Sequence, residues 1–322
     1  MHPILISIGS FHLPTYGVLL ALALLTAIYT VMRLGRREGL DASRLLDLST
    51  WIIIVSLVGA KVLMVVTDRS TYHSLGDLFS WSTIQAAGVF YGGFVAALLF
   101  SAWYIRAHRL PAWKVFDIYA PAIALGQSIG RIGCFAAGCD YGKPAHSSLA
   151  VIFTNPYSHD LVGVPLGIPL YPVQVYESLA TLAIFGILLW WYPRKTRDGE
   201  VFLIYMTLYA VARFFLEFLR GDEDRGFVFH HLLSTSQFIA ILALVTAGIM
   251  AYFFYRRPVE AGFSPAGAAF SPRGAAPSHR SGQALKGGAT TATAAVKDGA
   301  TQASGAGLKG SGVASVPKRA GS

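Results

Sequence analysis

The sequence predicts an all-α, polytopic membrane protein of about seven transmembrane helices, with its N-terminus outside, its C-terminus in the cytoplasm and a small external cap. Three observations lead there. Hydrophobic residues fill 54% of the 322 positions and charged residues only 13%, against roughly 25% charged in an ordinary soluble domain. Apolar runs approaching the roughly 20 residues that a bilayer core demands of a helix recur at 16–32, 50–66, 88–105, 115–135, 173–191, 201–219 and 237–255. Lys and Arg crowd into alternate connecting segments.

Each element follows from its own residues. The stretch before the first run, "MHPILISIGSFHLPTYG", has no Lys or Arg. It therefore lacks the basic leader of a cleavable signal, and the first run is expected to remain as a helix. Arg33, Arg36, Arg37 and Arg44 lie between the first two spans, Arg106, Arg109 and Lys114 between the third and fourth, Arg194, Lys195 and Arg197 between the fifth and sixth, and Arg256 and Arg257 after the seventh. The alternate segments hold only Arg69, Lys143, Arg220 and Arg225. Twelve against four places the first group in the cytoplasm by the positive-inside rule.

The external segment of about 138–171 holds "VIFTNP" and "HDLVGVPLGIPLYP", short β-prone pieces rich in Pro and Gly, and is expected to fold as the cap. Residues 1–257 form the expected transmembrane domain. From 258 to 322 the chain turns to Ala, Gly, Ser, Thr and Pro with scattered basic residues. Such a segment buries too little surface to offset its ordering entropy and is expected to be a disordered, basic cytoplasmic tail. The net charge of +9 thus belongs to topology and tail, and no nucleic-acid partner is expected; the partner implied everywhere is the lipid bilayer.

Two cysteines, Cys134 and Cys139, are too few for a disulfide framework or a four-ligand zinc site, so no metal and no cofactor are expected. They read as packing residues, with an external disulfide left open if the helix ends near 135. None of the nine histidines falls within a span.

Ionisable residues inside a membrane are expensive and face a bundle interior or wet cavity. Here they are Lys61, Arg131 and Arg213 with Asp117, Glu177 and Glu217. The topology brings all but Asp117 toward the outer leaflet, together with Tyr16, Tyr91, Gln174 and Tyr176. Arg213 and Glu217 are four apart and Arg220 three further, so "RFFLEFLR" is expected to line one helical face. Arg131 differs. It sits in "GQSIGRIG" with no acid at helical spacing in its own segment, so an external anion is its natural partner, and a guanidinium fork suits phosphate.

The segment "GRIGCFAAGCDYGKP" closely resembles the signature of bacterial prolipoprotein diacylglyceryl transferases. "YGVLLAL", "VFYGGF", "YPVQVYESL" and "ARFFLEFLRGD" resemble further motifs of that family in the right order, over roughly residues 4–255. The resemblance implies transfer of an sn-1,2-diacylglyceryl group from phosphatidylglycerol to the lipobox cysteine thiol of a prolipoprotein signal peptide, in the bacterial inner membrane. Family functional residues then map onto Tyr16, Arg131, Gly142, Arg213, Glu217 and Arg220. Arg131, Arg213, Tyr91 and Tyr16 are the expected catalytic set, and Arg131, Gly142, Glu217, Arg220, Gln174, Tyr176 and Glu177 the expected substrate-binding set. Two departures stand out. Some members have histidine where this chain has Tyr91, and asparagine and glutamate where it has Cys134 and Cys139. A histidine base is therefore absent at that position, and the group that takes the thiol proton stays unassigned. The rival reading from another class, a secondary transporter for an anionic solute, predicts internal repeats and polar residues at mid-membrane; the sequence has no visible repeat.

Overall fold

A computed structural model describes residues 2–8, 11–68, 89–222, 226–228 and 233–256. The expected tail at 258–322, with Arg69, Arg225, Arg257, His230 and His231, lies outside these residues. Eight helices are described: α1 (Thr15–Arg37), α2 (Ala42–Thr67), α3 (Phe90–Ala107), α4 (Ala112–Ala137), α5 (Pro156–Val162), α6 (Val173–Trp191), α7 (Glu200–Leu216) and α8 (Thr235–Arg256). Single 3-10 turns continue α6 (Tyr192–Arg194) and α7 (Glu217–Leu219). Six short strands pair antiparallel as β1 (Ile4–Ile8) with β2 (Phe11–Pro14), β3 (Val151–Ile152) with β4 (Pro169–Leu170), and β5 (Phe227–Val228) with β6 (Leu233–Ser234). The segment expected to form the cap contains the β3–α5–β4 unit. Its helix starts where Asn155 Oδ1 accepts the Tyr157 N–H at 3.0 Å, with Pro156 in the first turn, which needs no N–H there.

All seven expected spans are helical. Among the described residues, α1, α2, α3, α6, α7 and α8 are long and apolar enough to cross a membrane. The chain is an all-α, polytopic membrane protein. The seventh, α4, has the length, 26 residues or about 39 Å at 1.5 Å each. Its apolarity is diluted by Asp117, Gln127, Ser128 and Arg131. Packing resolves this: α4 lies against α1, α6 and α7, whereas α2 and α8 turn large apolar side chains such as Leu57, Val62, Leu242 and Ile249 outward. Polar groups sit inside and apolar ones outside, as a bilayer solvent requires. α2 and α3 cross closely through small residues, Gly92 facing the Gly59 carbonyl with no room for a Cβ between them.

The bundle has two unlike ends. At the end carrying the dense Lys/Arg segments, Leu34, Leu45, Ile118, Leu188 and Val201 form a sealed apolar core. Above it Lys195, buried, meets Glu38 Oε1 at 2.8 Å, Asp117 Oδ2 at 3.2 Å and Asp198 Oδ1 at 3.4 Å. Fully buried Asp117 also accepts the N–H groups of Gly199 (2.8 Å) and Phe202 (3.0 Å), capping α7 from a different helix. Burial pushes the Lys195 ammonium down, but its bond to Glu38 and the Asp117 charge outweigh that and hold it above its usual range. Lys195, counted from sequence as a topology signal, is thus also a staple of three segments.

Candidate active site

At the cap end, reciprocal bonds between two serines set the register of α4 on α6. Ser128 Oγ donates to the Ser178 carbonyl at 2.9 Å, and Ser178 Oγ to that of Ser128 at 2.8 Å. One turn further, Arg131 Nε meets Glu177 Oε1 at 3.0 Å. Arg131 Nη1 meets Asp140 Oδ2 at 2.5 Å, and the other oxygen of Asp140 meets Arg220 Nη2 at 2.5 Å. Asp140 is therefore a bridge between two guanidiniums. Burial pushes its carboxyl up, but Arg131 and Arg220 outweigh that and hold it below the usual carboxylate range. Arg131 does have acids, then: Glu177 from a neighbouring helix and Asp140 from beyond its own helix end, neither visible as a helical spacing.

On α7, Arg213 Nη1 pairs with Glu217 Oε2 at 2.8 Å, and Nη2 donates to Ser236 Oγ at 3.0 Å. The ion pair leaves buried Nη1 without a well-directed hydrogen bond among the described residues. Tyr209, one turn earlier, lies within electrostatic range of Arg131, Arg213 and Glu177. Gln127 accepts from Tyr205 at 3.0 Å and also meets Tyr209. Arg131 and Arg213 thus share one end of the bundle, both within electrostatic range of Tyr209. Asp140, Gln127, Tyr205, Tyr209 and Ser236 escaped the sequence reading; the one-turn spacing of Tyr205, Tyr209 and Arg213 is a signal for the two tyrosines, and the other three carry none.

The expected common face of Arg213, Glu217 and Arg220 is half realised. The α-helix stops at Leu216, a 3-10 turn follows, and Arg220 is extended (φ −70°, ψ 140°), turned away toward Asp140. The cause is a backbone crossing. Gly221 N–H donates to the Tyr141 carbonyl at 3.0 Å and Lys143 N–H to that of Leu219 at 2.9 Å, and a Cβ on Gly142 would meet Tyr171 backbone and side chain inside 3 Å. Gly142 therefore acts by letting three strands of backbone meet where Arg220 must turn.

The remaining expected residues divide. Gln174, buried, donates to the Cys139 carbonyl at 2.7 Å. Tyr16 packs on Gly133 and lies within electrostatic range of Arg131 and Asp140. Tyr176 is half-buried on α6. Tyr91 is not brought into the cluster: it is exposed on α3, its ring 5.8 Å from that of Phe90, and α3 packs chiefly on α2. Lys61 sits half-buried on α2. Cys134, Cys139 and Asp140 offer ligand atoms within 4.8 Å of one another, but both Asp140 oxygens already serve guanidiniums. Beside them opens a cavity of about 520 Å³ lined by Cys139, Asp140, Gly142, Leu170 and Asp222.

A helical bundle that holds a guanidinium–carboxylate cluster near one end of its apolar helices belongs to the class of all-α polytopic membrane proteins. The chain belongs to the prolipoprotein diacylglyceryl transferase family, whose model matches residues 3–254. It is 31% identical over 246 residues to a phosphatidylglycerol–prolipoprotein diacylglyceryl transferase of Clostridium tetani (strain Massachusetts / E88), covering 76% of this chain and 94% of the relative. The second transferase of that name in Clostridium perfringens (strain 13 / Type A) is 34% identical over 239 residues, covering 74% and 89%. The one in Finegoldia magna is 29% identical over 262 residues, covering 80% and 98%.

Proposed function

We propose that the protein transfers the diacylglyceryl group of phosphatidylglycerol to the lipobox cysteine thiol of a prolipoprotein, in the bacterial inner membrane and near its outer leaflet. Family membership supports the reaction. The observation that carries the site is Arg213 Nη1, buried and charge-paired, yet with unspent hydrogen-bonding capacity at the same end as Arg131. A phosphate oxygen satisfies such a donor.

In the reaction the thiolate sulfur forms a bond to the glycerol carbon, the carbon–oxygen bond to phosphate breaks, and glycerol phosphate leaves with the electron pair. Negative charge grows on that phosphate. Arg131 and Arg213, fixed by carboxylates in a low-dielectric site, stabilise it without reorganising. Glu177, Asp140 and Glu217 orient the guanidiniums, and their charge keeps the empty site from being an unpaired cation in the membrane. Tyr16, beside Arg131, is placed to orient the incoming thiol. A thiol with pKa about 8.5 supplies a few per cent thiolate near neutrality, enough for slow attack without a strong base.

The test incubates purified protein with labelled phosphatidylglycerol and a lipobox peptide. A thioether-linked diacylglyceryl peptide is expected, and none with a lipobox Cys→Ser peptide. Label that fails to move to the cysteine peptide refutes the reaction.

A further inference from the structure

Cys134 and Cys139 are nucleophiles that the proposed reaction leaves idle, and the fold puts them face to face. Positions five apart on a continuous helix point to different sides. Here α4 ends at Ala137 and Gly138 takes the left-handed conformation (φ 92°), its N–H closing on the Cys134 carbonyl at 2.8 Å. That turn folds residue 139 back over residue 134, so that Cys139 Sγ donates to the same carbonyl at 3.6 Å. The two sulfurs lie within 4.8 Å of each other. Both thiols are half-buried, and Cys139 lines the cavity under the cap, within reach of a small reagent. Arg131 Nη1 lies 3.9 Å from Cys134 Sγ. A bound metal is the poorer occupant, because it would have to displace Asp140 from two guanidiniums that themselves repel a cation.

We infer that Cys134 and Cys139 form a redox-modification site that closes into an intrachain disulfide by exchange with a small external disulfide. The Cys134 thiolate attacks one sulfur of the reagent and expels one thiolate. The Cys139 thiol then loses its proton and attacks the Cys134 sulfur, expelling the second. Two electrons and two protons leave with the reagent as two thiols. The second step is intramolecular across a short turn, so it outruns attack by another external thiol. Bonded sulfurs sit about 2.05 Å apart, and closing the gap pulls on the segment that carries the Cys139 carbonyl, held by Gln174, and Asp140, held by Arg131 and Arg220. The bond therefore displaces the bridge between the guanidiniums. This last consequence rests on the proposed reaction.

The experiment treats the full chain in detergent with oxidised glutathione, traps remaining thiols with a maleimide and maps the peptide containing both cysteines. The expected product is two hydrogens lighter, unlabelled, and restored by dithiothreitol. Both thiols labelled, or two stable glutathione adducts, overturns the inference. Cys139→Ser is expected to keep one stable adduct on Cys134. Transfer activity is expected to fall by about tenfold on oxidation, the scale on which a misplaced site loses rate, and to return on reduction. The double variant Cys134→Ser/Cys139→Ser is expected to respond to neither treatment. Unchanged activity in fully oxidised protein overturns the coupling to Asp140. Failure of the reduced protein to transfer at all counts against the reaction alone, and the peptide map still decides the thiol pair.

Discussion

At the scale of single residues, the guanidiniums of the site differ in what holds them. Arg131 is gripped through Nε and Nη1 by acids from two other segments, and a lysine there keeps the charge but loses the fork. Arg131→Lys is expected to lower transfer by about 100-fold or more, the scale of a lost donor to a charge that develops in the transition state, measured as kcat/KM on the peptide. Asp140 makes a pH prediction. Its folded pKa is depressed, so its bridge is fully present above the unfolded value of about 3.9 and is lost as pH falls through the lower, folded one. A transfer profile from about pH 5 to 8 is thus expected to show no titration from Asp140, and Asp140→Asn to lower activity evenly across that window. A loss confined to the acid side of the window would contradict this. Arg131, Arg213, Glu177 and Glu217 stood out in the sequence because a charge in an apolar run is costly and must face a bundle interior or a wet cavity. Asp140 did not, since an acid in a loop is ordinary until a turn carries it onto two arginines.

Elements were legible where composition alone decides them. Seven apolar runs became seven helices, because hydrophobic length is the property that the bilayer reads. Most helix ends were legible to within three residues, but α1 runs five residues past the expected 32 and α2 starts eight before the expected 50, where Asp41 caps it through the Ser43 N–H. The stop of α7 at Leu216 depends on a backbone crossing between Gly142 and Gly221 that no local pattern encodes. Gly142→Ala is expected to destabilise by about 1–3 kcal/mol, as overpacked sites do, and to reduce activity by loosening Arg220; a thermal melt in detergent beside the transfer assay checks both. At the other end, Asp117 caps α7 and pairs with Lys195 while fully buried. Removing one partner of such a pair leaves an uncompensated charge, so Asp117→Ala is expected to cost about 3–5 kcal/mol. Lys195, with its raised pKa, holds its contribution below the unfolded value of about 10.4 and loses it as pH rises through the folded one. The Asp117 variant is accordingly expected to melt with less alkaline sensitivity than the parent.

For the whole molecule, the proposed orientation has a direct check. Single cysteines introduced into a Cys134→Ser/Cys139→Ser background at Ser147 in the cap and at Thr196 in the basic segment are expected to differ in intact cells. The first is expected to react with a membrane-impermeant maleimide and the second only after permeabilisation; the opposite pattern would invert the topology and move the site to the cytoplasmic leaflet. The division into a lipid-facing sleeve and a charged interior was readable from charge placement. The hub was not, because α4 looks like one weak span among seven until its neighbours are known. That hub has a consequence for how the protein is made. The ribosome delivers α4 before α6 and α7, whose surfaces later shelter Arg131 and Asp117, so for part of synthesis this segment has only α1 to lean on. An isolated helix with an ionised side chain partitions poorly into lipid, so stable placement of α4 is expected to depend on the later arrival of α6 and α7. Truncation before α6 is therefore expected to leave α1, α2 and α3 as spans but α4 without the partners that shelter its charges.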